Sequence, residues 1–447
     1  MSQSSFGNTP PSGLNALNVG GAIGTIPPRF MGLSYEKLTI TYNYFHPSNY
    51  NLISLFRLLG AGVLRLGGGS VDTILWTNGA TGTHAQVTAA NITDLATFLK
   101  ATGWLCIYGV NLATSTPALA AAEVAAAVSA LGGNLLGIEL GNEPDEYATK
   151  GTFFPANWTF QDYVSLWLSF RSAIVQVAPN VPVTGPATAG GNHITTWTLA
   201  FGQTVTPSEL VLLTQHYYRA SGNSADATAS FLVSPDPQLT GDLTLLNPGA
   251  QQLGLPYRID ECNSFYDGGA PGVSNSYASS LWVIDFLFDS ALGGASGVNM
   301  HGGGDAFYTP IADDSGGVTG VRPEYYGLLL FALMGPGMLL QTELSAGGLD
   351  ATAYALRSTT GGLKVIVVNK DTQDLPLAIE ANQTIAGATL QLMTGPSLAA
   401  LSGVTIQGST VDIDGSFSPA TPDALTPAGT QTTCMIPALS AGLISIT

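Results

Sequence analysis

Two glutamates of this 447-residue chain stand at the ends of apolar, strand-like runs, where paired carboxylates could cleave a glycosidic bond. Glu143 follows residues 136–141 within Asn142-Glu143-Pro144, and Glu261 ends a run that begins at residue 256. A retaining glycosidase needs one carboxyl that gives and retakes a proton, and another, about 5–5.5 Å away, that attacks the anomeric carbon. We assign Glu143 as acid/base and Glu261 as nucleophile. Asn142 is the expected hydrogen-bond partner of the hydroxyl next to the reacting carbon.

Short apolar runs recur along the chain with helix-like stretches between them. Such alternation predicts an α/β fold with a parallel sheet covered on both faces, and eight units over about 300 residues predict a (β/α)₈ TIM barrel. The alternative is an open doubly wound sheet. The sequence does not favour it, because no Gly-rich phosphate loop stands at the start of a predicted helix. The predicted strands are 30–36, 63–67, 104–111, 136–142, 183–186, 210–217, 257–261 and 297–302. The predicted helices are 51–59, 93–102 (capped by Asn91 or Thr93), 118–131, 160–177 and 276–292.

Polar residues fall at the carboxyl ends of these strands, where a barrel of this kind gathers its reactive groups. Tyr217 stands at the end of the sixth strand and could hydrogen-bond the nucleophile, or could be a wall residue. His216 and His301 could be pocket walls, or buried and hydrogen-bonded. Two lone histidines without further ligand spacing do not make a metal site. We therefore predict neither a metal nor a cofactor.

The pattern changes after residue 336, where short strands with turn residues between them replace the helices. This pattern predicts a C-terminal β-sandwich domain. We predict a catalytic barrel at 29–338 and a sandwich at 339–447. The N-terminal segment, 1–28, is expected to add a strand to the sandwich.

Charge is scarce and acidic: 13 Lys and Arg face 30 Asp and Glu, for a net charge of −17. Such a surface disfavours nucleic acid, because phosphate binding needs clustered Lys and Arg. No uninterrupted apolar run reaches the roughly 18 residues that a membrane span requires. We expect a monomer with a secreted or periplasmic location, since a lightly charged surface suits an exported protein. The first eight residues have neither a basic region nor an apolar core, so we do not expect them to be a signal peptide, and a cytoplasmic location stays open.

Several longer motifs resemble one glycosidase family. They are Leu64-Arg65-Leu66-Gly67-Gly68, Gln215-His216-Tyr217-Tyr218, the Tyr- and Gly-rich stretch 261–271, and Arg322-Pro323-Glu324-Tyr325-Tyr326. Together with Asn142-Glu143-Pro144, they resemble glycoside hydrolase family 79, which holds heparanase and β-glucuronidases, and are similar to the bacterial exo-acting members. The resemblance covers the barrel and, more loosely, the sandwich.

The resemblance implies a β-linked glucuronic acid as substrate. It implies that Glu36 grips sugar hydroxyls and that Tyr308 and the backbone amides of Gly268 and Gly269 hold the uronate carboxylate. It also implies that Gly69, Tyr217 and Tyr266 line the same pocket. In this set there is no Lys or Arg, so neutral donors must hold the carboxylate. One departure is Asp267, which stands where the family pattern has a glycine and puts one backbone contact in question.

We predict release of glucuronic acid from the non-reducing end of small or terminal glucuronides. An endo-acting, heparan-type hydrolase is the nearest alternative, but 13 Lys and Arg in all are too few to hold a polysulfated chain. A β-glycosidase for neutral sugars is a second alternative. The alternative outside enzymes is an inactive barrel that binds carbohydrate.

Overall fold

A closed barrel of eight parallel strands dominates the structure, a computed structural model that describes residues 13–79, 81–149, 153–205, 209–314 and 317–447. Each strand pairs with its neighbours in chain order, and the eighth pairs with the first. Barrel strands one to eight are Met31–Glu36, Val63–Gly67, Leu105–Val110, Leu135–Leu140, Val183–Thr188, Leu212–Ser221, Tyr257–Tyr266 and Val298–Gly302. The strands are buried along most of their length, as expected when helices cover a parallel sheet. The predicted (β/α)₈ barrel is confirmed.

Helices connect the barrel strands and cover them. The α-helices are Tyr50–Leu58, Ala89–Thr102, Pro117–Leu131, Phe160–Val177, Ala200–Thr204, Ala229–Val233, Pro237–Leu253, Tyr277–Leu292 and Pro323–Met334. Short 3₁₀ turns span Lys37–Tyr42, Gly69–Asp72, Gly132–Asn134, Pro144–Glu146 and Gly191–His193, and a π-helical turn spans Ile194–Leu199. Within the described ranges, no helix is long and apolar enough to cross a membrane.

The predicted cap of the second helix is wrong by a few residues. The helix begins at Ala89, after Thr88, whose side chain accepts from the Asn91 backbone N–H. The Asn91 side chain accepts in turn from the Thr88 backbone N–H. This reciprocal capping box places Asn91 inside the first turn and leaves Thr93 within the helix.

An eleven-stranded, mainly antiparallel sheet forms the second part of the fold and encloses its own apolar core. Its strands are Asn15–Ile26, Gly337–Ser345, Ala351–Ser358, Leu363–Asn369, Leu375–Glu380, Ala388–Thr394, Thr405–Ile406, Asp423–Leu425, Pro427–Ala428, Gln431–Ile436 and Ser440–Ile446. Asn15–Ile26 pairs antiparallel with Gly337–Ser345 and parallel with Leu375–Glu380. The predicted sandwich class is confirmed. The boundaries near 28 and 338 stay predictions, and residues 1–12 lie outside the described ranges.

Two small two-stranded sheets complete the strands of the described chain. They pair Leu75–Trp76 with Gln86–Val87, and Ile311–Asp314 with Gly317–Val321. The second of them follows barrel strand eight, and Asp313 and Asp314 are the last two residues of its first strand. Loops at the carboxyl end of the barrel therefore carry extra structure that could shape a site there.

Candidate active site

A cavity of about 550 Å³ lies at the carboxyl ends of the barrel strands. We call it the catalytic cavity, because most of the predicted site residues line it. Those residues are Glu36, Gly69, Asn142, Glu143, Tyr217, Glu261, Tyr266 and Tyr308. Tyr218 and His301 line it as well. The fold therefore brings together residues from six of the eight barrel strands or the loops that follow them.

The two predicted catalytic carboxylates lie close together. One oxygen of Glu143, one of Glu261 and a nitrogen of His216 all lie within 4.8 Å of one another. His216 Nδ1 lies 3.0 Å from Glu143 Oε1 and 3.9 Å from Glu261 Oε1. Both carboxylates face the catalytic cavity, so a sugar bound there could contact both at once.

The turn after barrel strand four explains why Glu143 points into the cavity. Gly141 has φ +81°, and a Cβ added there would lie 2.5 Å from the Tyr147 hydroxyl, so only glycine fits. Glu143 itself has φ 48°, a left-handed conformation that is costly for a side-chain-bearing residue and typical of functional sites. Its backbone N–H donates to the Ala187 carbonyl at 2.8 Å, which holds the turn against strand five.

A buried aspartate, which the sequence prediction did not include, anchors the same turn. Asp72 accepts from the backbone N–H of Asn142 at 3.1 Å and from the Tyr147 hydroxyl at 2.7 Å. It also accepts from two amides of the loop after strand three. Burial raises the pKa of Asp72 to about 6, although these donors oppose the shift. Asp72 thus positions Asn142, the predicted partner of a sugar hydroxyl.

The nucleophile candidate rests on a buried arginine. Arg65 Nη1 donates to Glu261 Oε2 at 2.6 Å, and Arg65 Nη2 donates to Asn142 Oδ1 at 3.0 Å. Arg65 Nε also donates to Glu139 at 2.9 Å and lies 3.4 Å from Asp260. The Asn142 oxygen is thereby occupied, which leaves its amide N–H groups to donate to a substrate hydroxyl.

These surroundings keep Glu261 ionised. Burial alone would raise the pKa of Glu261, but the charges of His301, His216 and Arg65 hold it well below its usual range. Asp260, its neighbour in the chain, shows the opposite behaviour. Burial and the nearby Glu139 carboxylate raise the pKa of Asp260 well above its usual range. Glu261 is therefore an anion, as a nucleophile must be.

The tyrosine that contacts the nucleophile is Tyr218. Of the two alternatives for Tyr217, the hydrogen bond to the nucleophile is wrong, and the wall residue agrees with the structure. The Tyr218 hydroxyl donates to Glu261 Oε1 at 2.9 Å, whereas the Tyr217 hydroxyl donates to Asp236 at 2.6 Å. Side chains alternate between the two faces of a strand, and barrel strand six continues to Ser221. His216 and Tyr218 therefore face the interior of the barrel, and Tyr217 faces the surrounding helices. Tyr217 stacks on Phe286 at 5.9 Å and reaches the cavity only as part of its wall.

We predict that Tyr218→Phe lowers kcat by about 10–100-fold, because a hydrogen bond to a charged group is worth roughly 1.5–3 kcal/mol. Tyr217→Phe is the matched control. It removes the hydrogen bond to Asp236 and should change kcat less than about threefold, with its main effect on thermal stability. Initial rates on a glycoside with an activated leaving group measure both. Equal losses in the two variants would contradict the assignment.

His216 links the two carboxylates and should give the stability a distinct pH dependence. Burial would lower the pKa of His216, but the Glu261 charge and the hydrogen bond to Glu143 raise it to about 9. The unfolded value is about 6.5, so this stabilisation is complete below that pH and is lost as pH rises through the folded pKa. We expect the free energy of unfolding to fall by roughly 3 kcal/mol between pH 6.5 and 9.5.

Denaturant titrations at a series of pH values measure this fall. His216→Asn should flatten the slope over that interval. His46→Asn should leave it unchanged, because the His46 side chain is 40% exposed and lies outside the cavity. The same slope in wild type and His216→Asn would refute the effect.

Glu36 lies where the resemblance implies a residue that grips sugar hydroxyls. Its carboxylate accepts from the backbone N–H groups of Gly69, at 3.2 Å, and Ser70, at 2.8 Å, and from the Ser70 hydroxyl. A Cβ on Gly68 would lie 2.5 Å from this carboxyl group, so the glycine makes the contact possible. With 39% of its side chain exposed, Glu36 keeps a free edge toward the cavity.

The turn after barrel strand seven packs against the segment that carries Tyr308. The Phe307 N–H donates to the Gly268 carbonyl at 2.7 Å, and a Cβ on Gly269 would lie 2.8 Å from Tyr308 N. Among the described residues, the cavity lining includes Asp267 and not the two glycines. Asp267 adopts φ 62°, so it keeps the conformation that a glycine would favour. The predicted amide donors thus lie beside the cavity, and their role stays a prediction.

Asn263 and Glu324 form hydrogen bonds behind the segments that carry Tyr308 and His301. Asn263 Nδ2 donates to the carbonyls of His301, at 2.9 Å, and Tyr308, at 3.1 Å, and lies 3.3 Å from the Glu324 carboxylate. Burial raises the pKa of Glu324 well above its usual range. Both residues belong to the motifs that carry the family resemblance, and their role is to position Tyr308 and His301.

Two clusters in the described part of the chain have the composition of metal sites. They are Glu143, His216 and Glu261, and Asp145, Glu146 and His193. In each, a histidine Nδ1 already pairs with a carboxylate, at 3.0 Å in the first and 2.7 Å in the second. Internal hydrogen bonds account for both arrangements, so the geometry gives no reason to assign a metal.

Comparison with known proteins identifies relatives among β-glucuronidases. No family model matches the chain. It is 28% identical over 377 residues to a β-glucuronidase of Aspergillus niger, and the alignment covers 73% of this chain and 68% of that protein. It is 28% identical over 223 residues to a β-glucuronidase of Neurospora crassa, which covers 45% of this chain and 40% of that protein.

Solved glycosidases share the fold. A 4-O-α-L-rhamnosyl-β-D-glucuronidase from Fusarium oxysporum matches with a TM-score of 0.77 and 18% identity, covering 96% of this chain and 100% of that one. The family 51 α-L-arabinofuranosidase AbfB from Bifidobacterium longum matches with a TM-score of 0.71 and 15% identity, covering 98% and 100%. These likenesses confirm the architecture. Together with the sequence relatives they show that the chain is a glycoside hydrolase, and the predicted resemblance to β-glucuronidases is confirmed.

Proposed function

We propose that this glycoside hydrolase releases β-linked D-glucuronic acid from the non-reducing end of glucuronides, with retention of configuration. One observation carries the proposal: carboxylate oxygens of Glu143 and Glu261 lie within 4.8 Å of each other at the wall of one cavity. Retaining enzymes place their carboxyl groups about 5–5.5 Å apart, whereas inverting enzymes need about 6.5–9.5 Å to admit a water molecule. The spacing favours direct attack by a carboxylate.

The surroundings of the two carboxylates support distinct roles. Glu261 receives hydrogen bonds from Arg65 and Tyr218, at 2.6 and 2.9 Å, which stabilise its anion for attack on the anomeric carbon. Glu143 Oε1 lies 3.0 Å from His216 Nδ1, a titratable group with which it can share a proton, and we assign Glu143 as the carboxyl that carries the proton. In this assignment Glu143 protonates the leaving oxygen and then activates the water that releases the sugar.

Glucuronic acid as the sugar is supported by the relatives and by the resemblance. Both curated relatives are β-glucuronidases. Tyr266 and Tyr308 line the cavity, and the turn of Gly268 and Gly269 lies next to them, so hydroxyl and amide donors are available for a carboxylate. In the described lining there is no Lys or Arg. Arg65 lies below the cavity with all its contacts inside the protein.

An exo-acting enzyme fits the charge of the cavity better than a heparan-type endo-hydrolase. Besides the catalytic pair, its lining includes four further carboxylates, at Glu36, Glu146, Asp242 and Asp267. A polysulfated chain would meet repulsion at each of them. A short or uncharged aglycone would not be repelled by these carboxylates.

Three substrates test the proposal. We expect hydrolysis of 4-nitrophenyl β-D-glucuronide, a kcat/KM at least about 100-fold lower for the matching β-D-glucoside, and no cleavage of heparan sulfate. Proton NMR during the reaction should show the β-anomer as the first product. Equal rates on glucuronide and glucoside would refute carboxylate recognition. Preference for heparan sulfate would instead support the endo-acting alternative.

We also propose a monomeric, exported protein. Only 10% of its residues are charged, and a lightly charged surface suits an exported protein. Light scattering at micromolar concentration tests the first statement, and fractionation of the producing cells tests the second. A stable dimer, or activity confined to the cytoplasm, would contradict the respective part.

A further inference from the structure

One arginine beneath the catalytic cavity contacts three carboxyl groups of the barrel interior. Arg65 Nη1 lies 2.6 Å from Glu261, and Arg65 Nε lies 2.9 Å from Glu139 and 3.4 Å from Asp260. All four side chains are buried. A guanidinium carries a single positive charge, so it cannot balance three anions where water is excluded. One of the three carboxyl groups must therefore be neutralised in another way.

The carboxyl groups differ in the donors that surround them. Glu139 accepts from the hydroxyls of Thr184, at 3.2 Å, and Thr214, at 2.8 Å, in addition to Arg65. Asp260 is 0% exposed, and within the described ranges neither of its oxygens accepts a hydrogen bond. A buried carboxylate without donors is strongly disfavoured, whereas a protonated carboxyl needs only an acceptor. The Glu139 carboxylate lies within hydrogen-bond reach of Asp260 and is such an acceptor.

Other titratable groups that face Asp260 already have partners or are neutral. His216 Nε2 lies 4.0 Å from Asp260 Oδ1, but its Nδ1 lies 3.0 Å from Glu143, the assigned acid/base. Arg258, on the same strand as Asp260, directs its guanidinium to three backbone carbonyls. Burial raises the pKa of the Cys262 thiol well above its usual range, so that group is uncharged. A negative charge on Asp260 would therefore have to compete for the guanidinium beneath the nucleophile.

From this geometry we infer that Asp260 and Glu139 share one proton, so that a neutral carboxyl group of Asp260 lies directly beneath the nucleophile and donates to Glu139. Asp260 is then a positioning residue. By staying neutral it leaves the guanidinium of Arg65 to hold Glu261 and Asn142, and it keeps a further negative charge away from the nucleophile. The raised pKa of Asp260 agrees with this arrangement. Only the effect on catalysis rests on the proposed function.

Infrared difference spectroscopy at pH 7 tests the shared proton without any substrate. A protonated carboxyl group has a carbonyl band that a carboxylate lacks. Asp260→Asn should lose one such band, because the amide replaces the proton donor. Glu139→Gln should also lose one, because Asp260 can then ionise against Arg65. The double variant should lose no more than either single variant.

The outcomes of this experiment are distinct. A band that persists in Glu139→Gln would overturn the inference, even if Asp260→Asn does not fold. Two bands lost in the double variant would mean two separate protons and would also overturn it. Loss of one band in each single variant and in the double variant would support the shared proton.

Rates test the positioning role. Asp260→Ala should lower kcat for an aryl β-glucuronide about tenfold, because Arg65 and Glu139 lose a neighbour that fixes their geometry. Asp260→Asn should recover most of that loss, and its acid limb should stay at the wild-type pH, because one neutral donor replaces another. If Asp260 were an anion, asparagine would be as harmful as alanine and the acid limb would move to lower pH, since a negative neighbour of Glu261 would be gone.

The matched control is Asp289→Asn. Burial and the Asp285 carboxylate raise the pKa of Asp289 to about 7, but Asp289 lies outside the catalytic cavity. Its replacement should change neither kcat nor the acid limb. Absence of glucuronide hydrolysis in the wild type would overturn the proposed function, while the infrared bands decide the shared proton on their own.

Discussion

Replacement of Glu261 by glutamine is expected to lower kcat for aryl β-glucuronides by about 10⁴-fold or more, because the amide cannot form the covalent intermediate. The change keeps the size of the side chain and its contact with the Tyr218 hydroxyl. Sugar binding should therefore survive, and KM or the inhibition constant of a product analogue should change much less than kcat. Stopped assays with an activated leaving group measure both quantities.

A second variant separates the two carboxylates. Glu143→Ala removes the proton donor but leaves the nucleophile, so a dinitrophenyl glycoside, whose leaving group needs no proton, should still form the glycosyl-enzyme. A burst of dinitrophenol followed by slow turnover is the expected trace. Azide should accelerate that turnover and yield the β-azide. Glu261→Gln should show neither burst nor azide product.

The matched control is Glu146→Gln, which neutralises another carboxylate of the same cavity. It should change kcat by less than about tenfold, since Glu146 touches neither Arg65 nor Tyr218 in the described contacts. Full activity of Glu261→Gln would refute the two-carboxylate mechanism. Binding without turnover in the wild type would favour the alternative of an inactive carbohydrate-binding barrel.

Local patterns in the sequence predict the barrel well, but barrel strands six and seven continue to Ser221 and Tyr266, past their predicted ends at 217 and 261. Residues 63–67 are apolar apart from Arg65, as expected when both faces of a parallel strand are covered, and the observed strand has the same bounds. The helix Pro237–Leu253 has no such signal: Gly241, Pro248 and Gly249 interrupt it, and tertiary packing overrides their low propensity. The position of Glu143 just after strand four follows from local pattern, whereas Glu261 lies within strand seven, and the barrel brings the two together.

Contacts between distant residues were the part that sequence patterns could not predict. Arg65 lies 74 positions from Glu139 and 196 from Glu261, so nothing local indicates that its charge is shared between them. The choice between Tyr217 and Tyr218 depends on the phase of barrel strand six against strand seven, where Glu261 aligns with His216. A prediction that strand six extends past Tyr217 would have placed Tyr218 on the inner face.

Replacement of Arg65 by methionine tests the charge network beneath the site. The guanidinium is fully buried and contacts Glu139, Glu261 and Asn142. Loss of one partner in a buried ion pair leaves uncompensated charge, and we expect the free energy of unfolding at pH 7 to fall by about 3–5 kcal/mol. The pKa of Glu261 should rise, because one of the charges that lowers it is gone. The acid limb of the pH–rate profile should therefore move to higher pH.

The pH dependence of this stability loss distinguishes electrostatics from packing. The folded pKa of Glu261 lies below its unfolded value, so its contribution is present at neutral pH and is lost as pH falls through the folded pKa. In Arg65→Met that contribution is reduced, so the deficit should be largest near pH 7 and shrink toward pH 4 as carboxylates take up protons.

The exposed Arg57 provides the control, because Arg57→Met removes a surface charge whose side chain contacts only the Ala101 carbonyl among the described groups. Neutralising a second partner, in Arg65→Met/Glu139→Gln, should recover part of the stability. A deficit that does not change with pH, together with an unmoved acid limb, would mean that Arg65 acts by filling space, and that the ionisation of Glu261 depends on the histidines and Tyr218 instead.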